Sequence, residues 1–168
     1  HLAGNLICLL LFGLPLERLY GFGPVVWCWL CSALGGNFLS SLLEAPCSVL
    51  VGGSGGTFGF AGLFAADTCL RWNKLKRPVL RCLVAATTIA IVVYDVRDET
   101  NVSGAAHAGG LLGGGCYAAV FLRKASLGGV SRPILAIAAA VLAATLVVIP
   151  VWAHFLCGDR FTQCEAAV

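Results

Sequence analysis

Six long stretches of apolar residues, separated by short polar clusters, dominate this sequence. Each is close to the roughly 20 residues that an α-helix needs to cross the hydrocarbon core of a bilayer. Runs such as 135–149 do not alternate apolar and polar residues, so the pattern indicates helices rather than the strands of a barrel. The predicted spans, A to F, are 2–20, 24–42, 54–70, 79–95, 104–122 and 133–154. The pattern therefore predicts an all-α, polytopic transmembrane helical bundle of six helices.

The composition strengthens this prediction and excludes two other classes of protein. Hydrophobic residues make up 59% of the 168 positions and charged residues only 11%, whereas ordinary soluble domains have about 25% charged residues. So few charges cannot cover the exterior of a water-soluble domain, and we expect the lipid bilayer to cover it instead. A net charge of +3 without a sustained basic face also argues against a nucleic-acid partner.

The basic residues predict the orientation of the spans. Nine of the 11 lysines and arginines fall on one side of the predicted bundle: Arg18, Arg71, Lys74, Lys76, Arg77, Arg81, Arg123, Lys124 and Arg132. The positive-inside rule places this side in the cytosol, so spans A, C and E begin at the opposite, outward face. Because the sequence starts at His1, without an initiator Met, at that outward face, we expect a further helix to precede span A.

Polar side chains stand near the outward start of each of these three spans. They are His1 and Asn5 in span A, Ser54 in span C and His107 in span E. Polar groups at membrane depth are costly and usually functional. Since all of them lie at the same predicted height, we expect three helices to converge on one polar pocket.

The chemistry of these side chains is complementary. A serine hydroxyl becomes a good nucleophile when a neighbouring base accepts its proton, and a neutral histidine is the usual base. Ser54 and His107 are therefore the candidate catalytic dyad. The Ser54 backbone N–H, the Asn5 amide and the His1 ring are candidate donors for an oxyanion hole.

Glycines on spans C and E predict that these two helices pack closely. Gly55, Gly59 and Gly62 form a stripe beside the face of Ser54. Gly110 and Gly114 follow His107 along one face of span E. Such small surfaces let helix backbones approach each other, as a hydrogen bond between the dyad members requires. Taken alone, Ser54 is also compatible with a simple packing role in a glycine-rich contact.

Other polar residues fit structural roles. Asp67 lies thirteen residues after Ser54, about 20 Å along a helix, so it cannot complete a triad, and we expect it to snorkel or to pair with Arg71. The cysteines fall mainly in apolar segments, and the Cys28–Cys31 spacing lacks the second pair of a zinc site. No metal and no organic cofactor is implied.

Four motifs, in order, resemble those of the rhomboid family of intramembrane serine proteases. These are an HxxxN segment at His1 and Asn5, an ER-containing turn at Glu17 and Arg18 followed by Gly21, a GxSG motif at Ser54, and an AHxxGxxxG helix at His107 with Gly110 and Gly114. The resemblance implies that Ser54 is the nucleophile, that His107 is the general base, and that His1, Asn5 and the Ser54 amide form the oxyanion hole. Phe58 stands where many relatives have a tyrosine that packs against the catalytic histidine.

The resemblance also implies a domain organisation and a function. The whole chain, 1–168, would form one rhomboid-like transmembrane domain with a core at 1–124, an extra C-terminal helix at about 133–154 and an outward tail at 155–168, while the family's first helix is missing from the sequence. The expected activity is that of a serine-type endopeptidase that hydrolyses a peptide bond in or near the transmembrane segment of another membrane protein. The extra last helix resembles that of secretory-pathway members, so we expect a multi-pass protein of the secretory pathway or plasma membrane.

Two alternatives remain open from the sequence. The first is a catalytically silent rhomboid-like protein that binds transmembrane helices for trafficking or degradation. The second is a transporter or channel in which His1, Asn5, Ser54 and His107 line a polar path. The presence of both dyad residues argues against the first, and the absence of a matching polar set toward the cytosol argues against the second.

Overall fold

The described part of the chain is helical throughout, with short turns between the helices. The computed structural model describes residues 2–43, 53–98, 103–121, 132–144, 148, 151 and 155. The helices are α1 (Leu2–Cys8), α2 (Leu14–Tyr20), α3 (Phe22–Leu43), α4 (Ser54–Leu70), α5 (Pro78–Asp98), α6 (Gly104–Phe121) and α7 (Arg132–Ala143). These residues include no strand, and the predicted all-α helical bundle is confirmed.

Predicted span A is one continuous helical stretch with an irregular centre. Between α1 and α2 the chain forms a π-helical segment, Leu9–Gly13, and the helical path then continues to Tyr20. Gly21 ends it with a φ of 85°, a left-handed conformation that glycine adopts without steric cost, and its N–H donates a 2.8 Å hydrogen bond to the Glu17 carbonyl. This turn reverses the chain directly into α3.

The other predicted spans match helices with small shifts at their ends. Span C agrees with α4 at both ends, and the largest difference among spans B to E is at the end of span D, where 95 was predicted and α5 continues to Asp98. Helix α5 begins at Pro78, whose fixed φ suits a first helical position. Span F corresponds to α7 over its first part, and most of 145–154 lies outside the described residues.

Helix α4 is the centre of the bundle. All of its first eleven residues, Ser54–Phe64, are buried, as expected for a helix surrounded by protein on every side. Its most extensive contacts are with α6 and then with α3, which also packs against α6. Helix α5 covers another side of α4 more loosely, and α7 packs on α6. Ser54 and His107, in the first turns of α4 and α6, are both buried where these helices pack.

Large apolar side chains on the outer surface of the bundle point away from this core. Exposed fractions reach 84% at Leu2, 62% at Trp27, 59% at Val79 and 64% at Ile137. Two helical stretches, Leu2–Tyr20 and Phe22–Leu43, are long and apolar enough to cross a bilayer. The exposed side chains suit a lipid environment, and the remaining four transmembrane spans stay predictions.

A buried carboxylate joins three elements near the C-terminal end of α4. The Asp67 side chain is 1% exposed and accepts hydrogen bonds from Arg71 Nη2 at 2.6 Å and Arg81 Nη2 at 3.0 Å, and from the Tyr20 hydroxyl. Pairing with Arg71 is thus confirmed, while the partners from α2 and α5 were not foreseen. Burial lowers the pKa of Arg71, but the hydrogen bond to Asp67, the charge of Asp67 and the nearby Tyr20 together raise it by more, so the net shift is upward and the guanidinium stays charged.

Replacing Asp67 with asparagine is expected to destabilise the bundle by about 3 kcal/mol, because the change leaves two arginines around a site without its negative charge. The measurement is denaturant unfolding of the purified protein in detergent. Glu17→Gln is the matched control, since it removes an exposed carboxylate on α2. Equal unfolding midpoints for the two variants would show that the Asp67 cluster does not hold α2, α4 and α5 together.

Candidate active site

The structure places Ser54 at the first position of α4. Its side chain is buried, with 7% exposed, and Gly53 precedes it with a φ of −79° and a ψ of 9°. The first N–H groups of a helix have no acceptor within the helix and carry the positive end of its dipole. A negative charge that develops beside Ser54 would therefore meet backbone donors already in place.

His107 occupies the first turn of α6 and is equally buried, with 7% exposed. Ser103 caps this turn: its Oγ accepts a 2.8 Å hydrogen bond from the Ala106 N–H, and its carbonyl accepts one of 3.2 Å from the His107 N–H. Ser103 Oγ also lies 3.0 Å from Ser40 Oγ on α3. The backbone that carries His107 is therefore anchored to a second helix.

An aromatic contact joins α4 to the histidine. The rings of Phe58 and His107 are stacked, with centroids 4.2 Å apart and planes inclined by 10°. Phe58 follows Ser54 by four residues, so the two side chains share one face of α4. The imidazole of His107 thus lies against the face of α4 that also carries Ser54.

Glycines allow the two backbones to approach this closely. A Cβ added to Gly110 would lie 2.9 Å from the Gly55 Cα, and one added to Gly114 would lie 2.7 Å from the Gly59 Cα. Real Cβ atoms do not come this near to a neighbouring backbone, so a side chain at either α6 position would force the helices apart. Four of the glycines named from the sequence therefore form the contact between α4 and α6.

Asn5 reaches the same end of α4 from α1. Its Oδ1 lies 2.9 Å from Thr57 Oγ1, and the Thr57 hydroxyl also lies 2.9 Å from the Ser54 carbonyl oxygen. Asn5 thus contacts a residue that follows Ser54 by about one helical turn. The fourth predicted site residue, His1, lies outside the described residues.

Two residues around the site were missed from the sequence. Thr57 is an isolated hydroxyl three residues after Ser54 in a stretch of glycine and apolar residues, and Ser103 precedes an apolar helical run, as helix-capping serines do. Both signals were present in the sequence. The described residues contain no group of three or more His, Cys, Asp or Glu side chains able to hold a metal ion.

Comparison with known proteins identifies the family of the chain. The family model of the Rhomboid domain matches residues 1–124. The chain belongs to the rhomboid family. Rhomboid proteins are membrane proteins, which agrees with the apolar exterior of the bundle.

Three relatives from different organisms are each about one third identical to this chain in sequence. RHOMBOID-like protein 5 of Arabidopsis thaliana is 31% identical over 76% of this chain, and Rhomboid-like protease 3 of Toxoplasma gondii is 33% identical over 68%. Rhomboid-related protein 1 of Caenorhabditis elegans is 30% identical over 68%. This rhomboid chain spans 41%, 43% and 34% of their respective lengths. No solved structure matches it.

Proposed function

We propose that this rhomboid protein is an intramembrane serine endopeptidase that uses Ser54 as nucleophile and His107 as general base. The observation that carries the proposal is the stacking of the His107 ring on Phe58, one turn after Ser54 on the same helix. This stacking supports a contact between the Ser54 hydroxyl and the His107 imidazole at the interface of α4 and α6. The relative named Rhomboid-like protease 3 gives further support.

The proposed reaction begins when Ser54 Oγ attacks the carbonyl carbon of the scissile peptide bond. His107 accepts the hydroxyl proton, and the carbonyl oxygen becomes an oxyanion that the Ser54 N–H and the Asn5 amide stabilise. His107 then donates its proton to the leaving amine, and the C–N bond breaks. Water, activated by His107, hydrolyses the resulting ester and releases Ser54.

In the proposed mechanism the ring of Phe58, and not a carboxylate, orients the imidazole of His107. Asp67, the carboxylate of α4, lies thirteen residues after Ser54 and is engaged by Arg71 and Arg81. Stacking against Phe58 limits rotation of the imidazole, which is part of what the acidic member does in a serine protease triad.

The proposed substrates are membrane proteins that approach from the side of α5. This helix packs less extensively on α4 than α3 and α6 do, and its Leu83 side chain is 58% exposed on the outer surface. Displacement of α5 would open a lateral path to the buried site. We further propose that the protein crosses a membrane of the secretory pathway, or the plasma membrane, several times.

The test is cleavage of a fluorogenic transmembrane substrate by the full-length protein in liposomes. We expect a product that appears without added metal or cofactor. Capture of the substrate without cleavage would contradict the proposal in favour of a silent helix-binding protein. Solute flux across the liposomes, with no cleavage, would favour a transporter.

Phe58→Ala is expected to lower kcat about tenfold, because the imidazole loses the ring that orients it and stacking contributes about 0.5–1.5 kcal/mol. Phe58→Tyr keeps the ring and is expected to retain most activity. Phe60→Ala is the control for loss of a buried ring, since Phe60 lies on the same helix and is 4% exposed. If Phe58→Ala cleaved as fast as the wild type at equal stability, Phe58 would have no role in orienting His107.

A further inference from the structure

Thr57 places a hydroxyl between the nucleophile's helix and the candidate oxyanion donor. The residue is buried, with 7% exposed. Its Oγ1 lies 2.9 Å from Asn5 Oδ1 on α1 and 2.9 Å from the Ser54 carbonyl oxygen. Thr57 thus connects two of the groups that the proposed reaction requires.

The direction of this contact determines how the Asn5 amide is presented. The atom of the carboxamide that faces Thr57 is the acceptor Oδ1. The Thr57 hydroxyl has one proton, which Asn5 Oδ1 and the Ser54 carbonyl oxygen share at equal distances. Donation to Oδ1 leaves the two N–H donors of the planar carboxamide directed away from Thr57. Both donors therefore stay available for another acceptor, such as an oxyanion.

The contact with Thr57 limits the rotation of the Asn5 side chain. Asn5 is only partly buried, on a short helix near the edge of the bundle. The amide of a side chain that rotates freely must be ordered during the reaction, whereas a preorganised donor needs no such ordering. Thr57 supplies that order from the central helix.

We infer that Thr57 is a positioning residue that holds the Asn5 carboxamide with its N–H donors directed at the oxyanion formed next to Ser54. The inference rests on the proposed function. Thr57 itself does not touch the reacting atoms in this scheme and acts only through Asn5.

The test compares kcat and KM for cleavage of a fluorogenic transmembrane substrate by the full-length protein in liposomes. Thr57→Val keeps the branched shape and removes the hydroxyl, and we expect kcat to fall about tenfold with KM within about twofold of the wild type. Thr57→Ser restores the hydroxyl and is expected to recover most of the rate. Thr68→Val is the matched control, because it removes a buried hydroxyl of the same helix whose 2.7 Å contact is with its own helix, at the Phe64 carbonyl.

A double-mutant cycle separates positioning from packing. If Thr57 acts through Asn5, the variant carrying both Thr57→Val and Asn5→Ala is expected to cleave no more slowly than Asn5→Ala alone. If the rate losses of the two single variants multiply in the double variant, or if kcat is unchanged in Thr57→Val, the inference is overturned. The proposed function remains intact in either case, provided that the wild type cleaves the substrate and that this cleavage depends on Ser54. Absence of cleavage by the wild type would overturn both.

Discussion

Ser54→Ala is expected to lower the cleavage rate at least about 10³-fold, since the reaction then has no hydroxyl to form the acyl-enzyme. The structure places Ser54 at the start of the central helix, where it is 7% exposed. Removal of the hydroxyl oxygen leaves the packing of α4 against α6 unchanged, so the loss should appear in kcat and not in thermal stability. The measurement is initial-rate cleavage of a transmembrane substrate in liposomes, together with a melting curve.

Two further variants sharpen this prediction. Ser41→Ala removes an exposed hydroxyl of α3 whose hydrogen bond is to the Phe38 carbonyl, and it is expected to cleave like the wild type. His107→Ala is expected to match the loss in Ser54→Ala, and combining the two changes should cost nothing more, because the groups act as one unit. Ser54→Ala retaining a tenth of the wild-type rate would contradict the nucleophile assignment.

Gly114→Ala is expected to lower the cleavage rate about a hundredfold, because displacement of α6 by about 1 Å misplaces His107 relative to Ser54. The added Cβ would lie 2.7 Å from the Gly59 Cα and closer still to the Gly59 carbonyl oxygen. These are backbone atoms, so no side-chain rotation relieves the contact. We also expect a loss of stability of about 1–3 kcal/mol.

Gly115→Ala provides the matched control for this change. A Cβ there would meet the Gly62 carbonyl oxygen at 3.8 Å, an ordinary van der Waals distance. The two neighbouring substitutions therefore differ only in which face of α6 carries the methyl group. Equal cleavage by the two variants would show that the close approach of α4 and α6 is not required for activity.

Much of the fold follows from local features of the sequence. The apolar spans, Gly21 after α2 and Pro78 at the start of α5 fix where helices begin and end, and i, i+4 spacing predicts the pairing of Asp67 with Arg71. The π-helical segment Leu9–Gly13 did not appear in the pattern, because it lies in a uniformly apolar stretch where a change of helical period leaves no trace.

The site was less fully predictable, for a physical reason. The distribution of basic residues predicted the orientation of the spans, and with it that Asn5, Ser54 and His107 lie on the same side of the bundle. The spacing of the glycines predicted the contact of α4 with α6. Contacts that depend on the angle and depth at which helices meet have no local signature. The Thr57–Asn5 hydrogen bond is of this kind, as is the approach of Arg81 to Asp67.

The central claim is that the Ser54 hydroxyl is activated by His107 across the contact of α4 with α6. Treating the full-length protein with a fluorophosphonate and mapping the adduct by mass spectrometry tests it most directly. The account predicts that Ser54 carries the adduct in the wild type and that labelling disappears in His107→Ala. A wild-type protein unlabelled at Ser54, or labelling that persists at the same rate without His107, would contradict it.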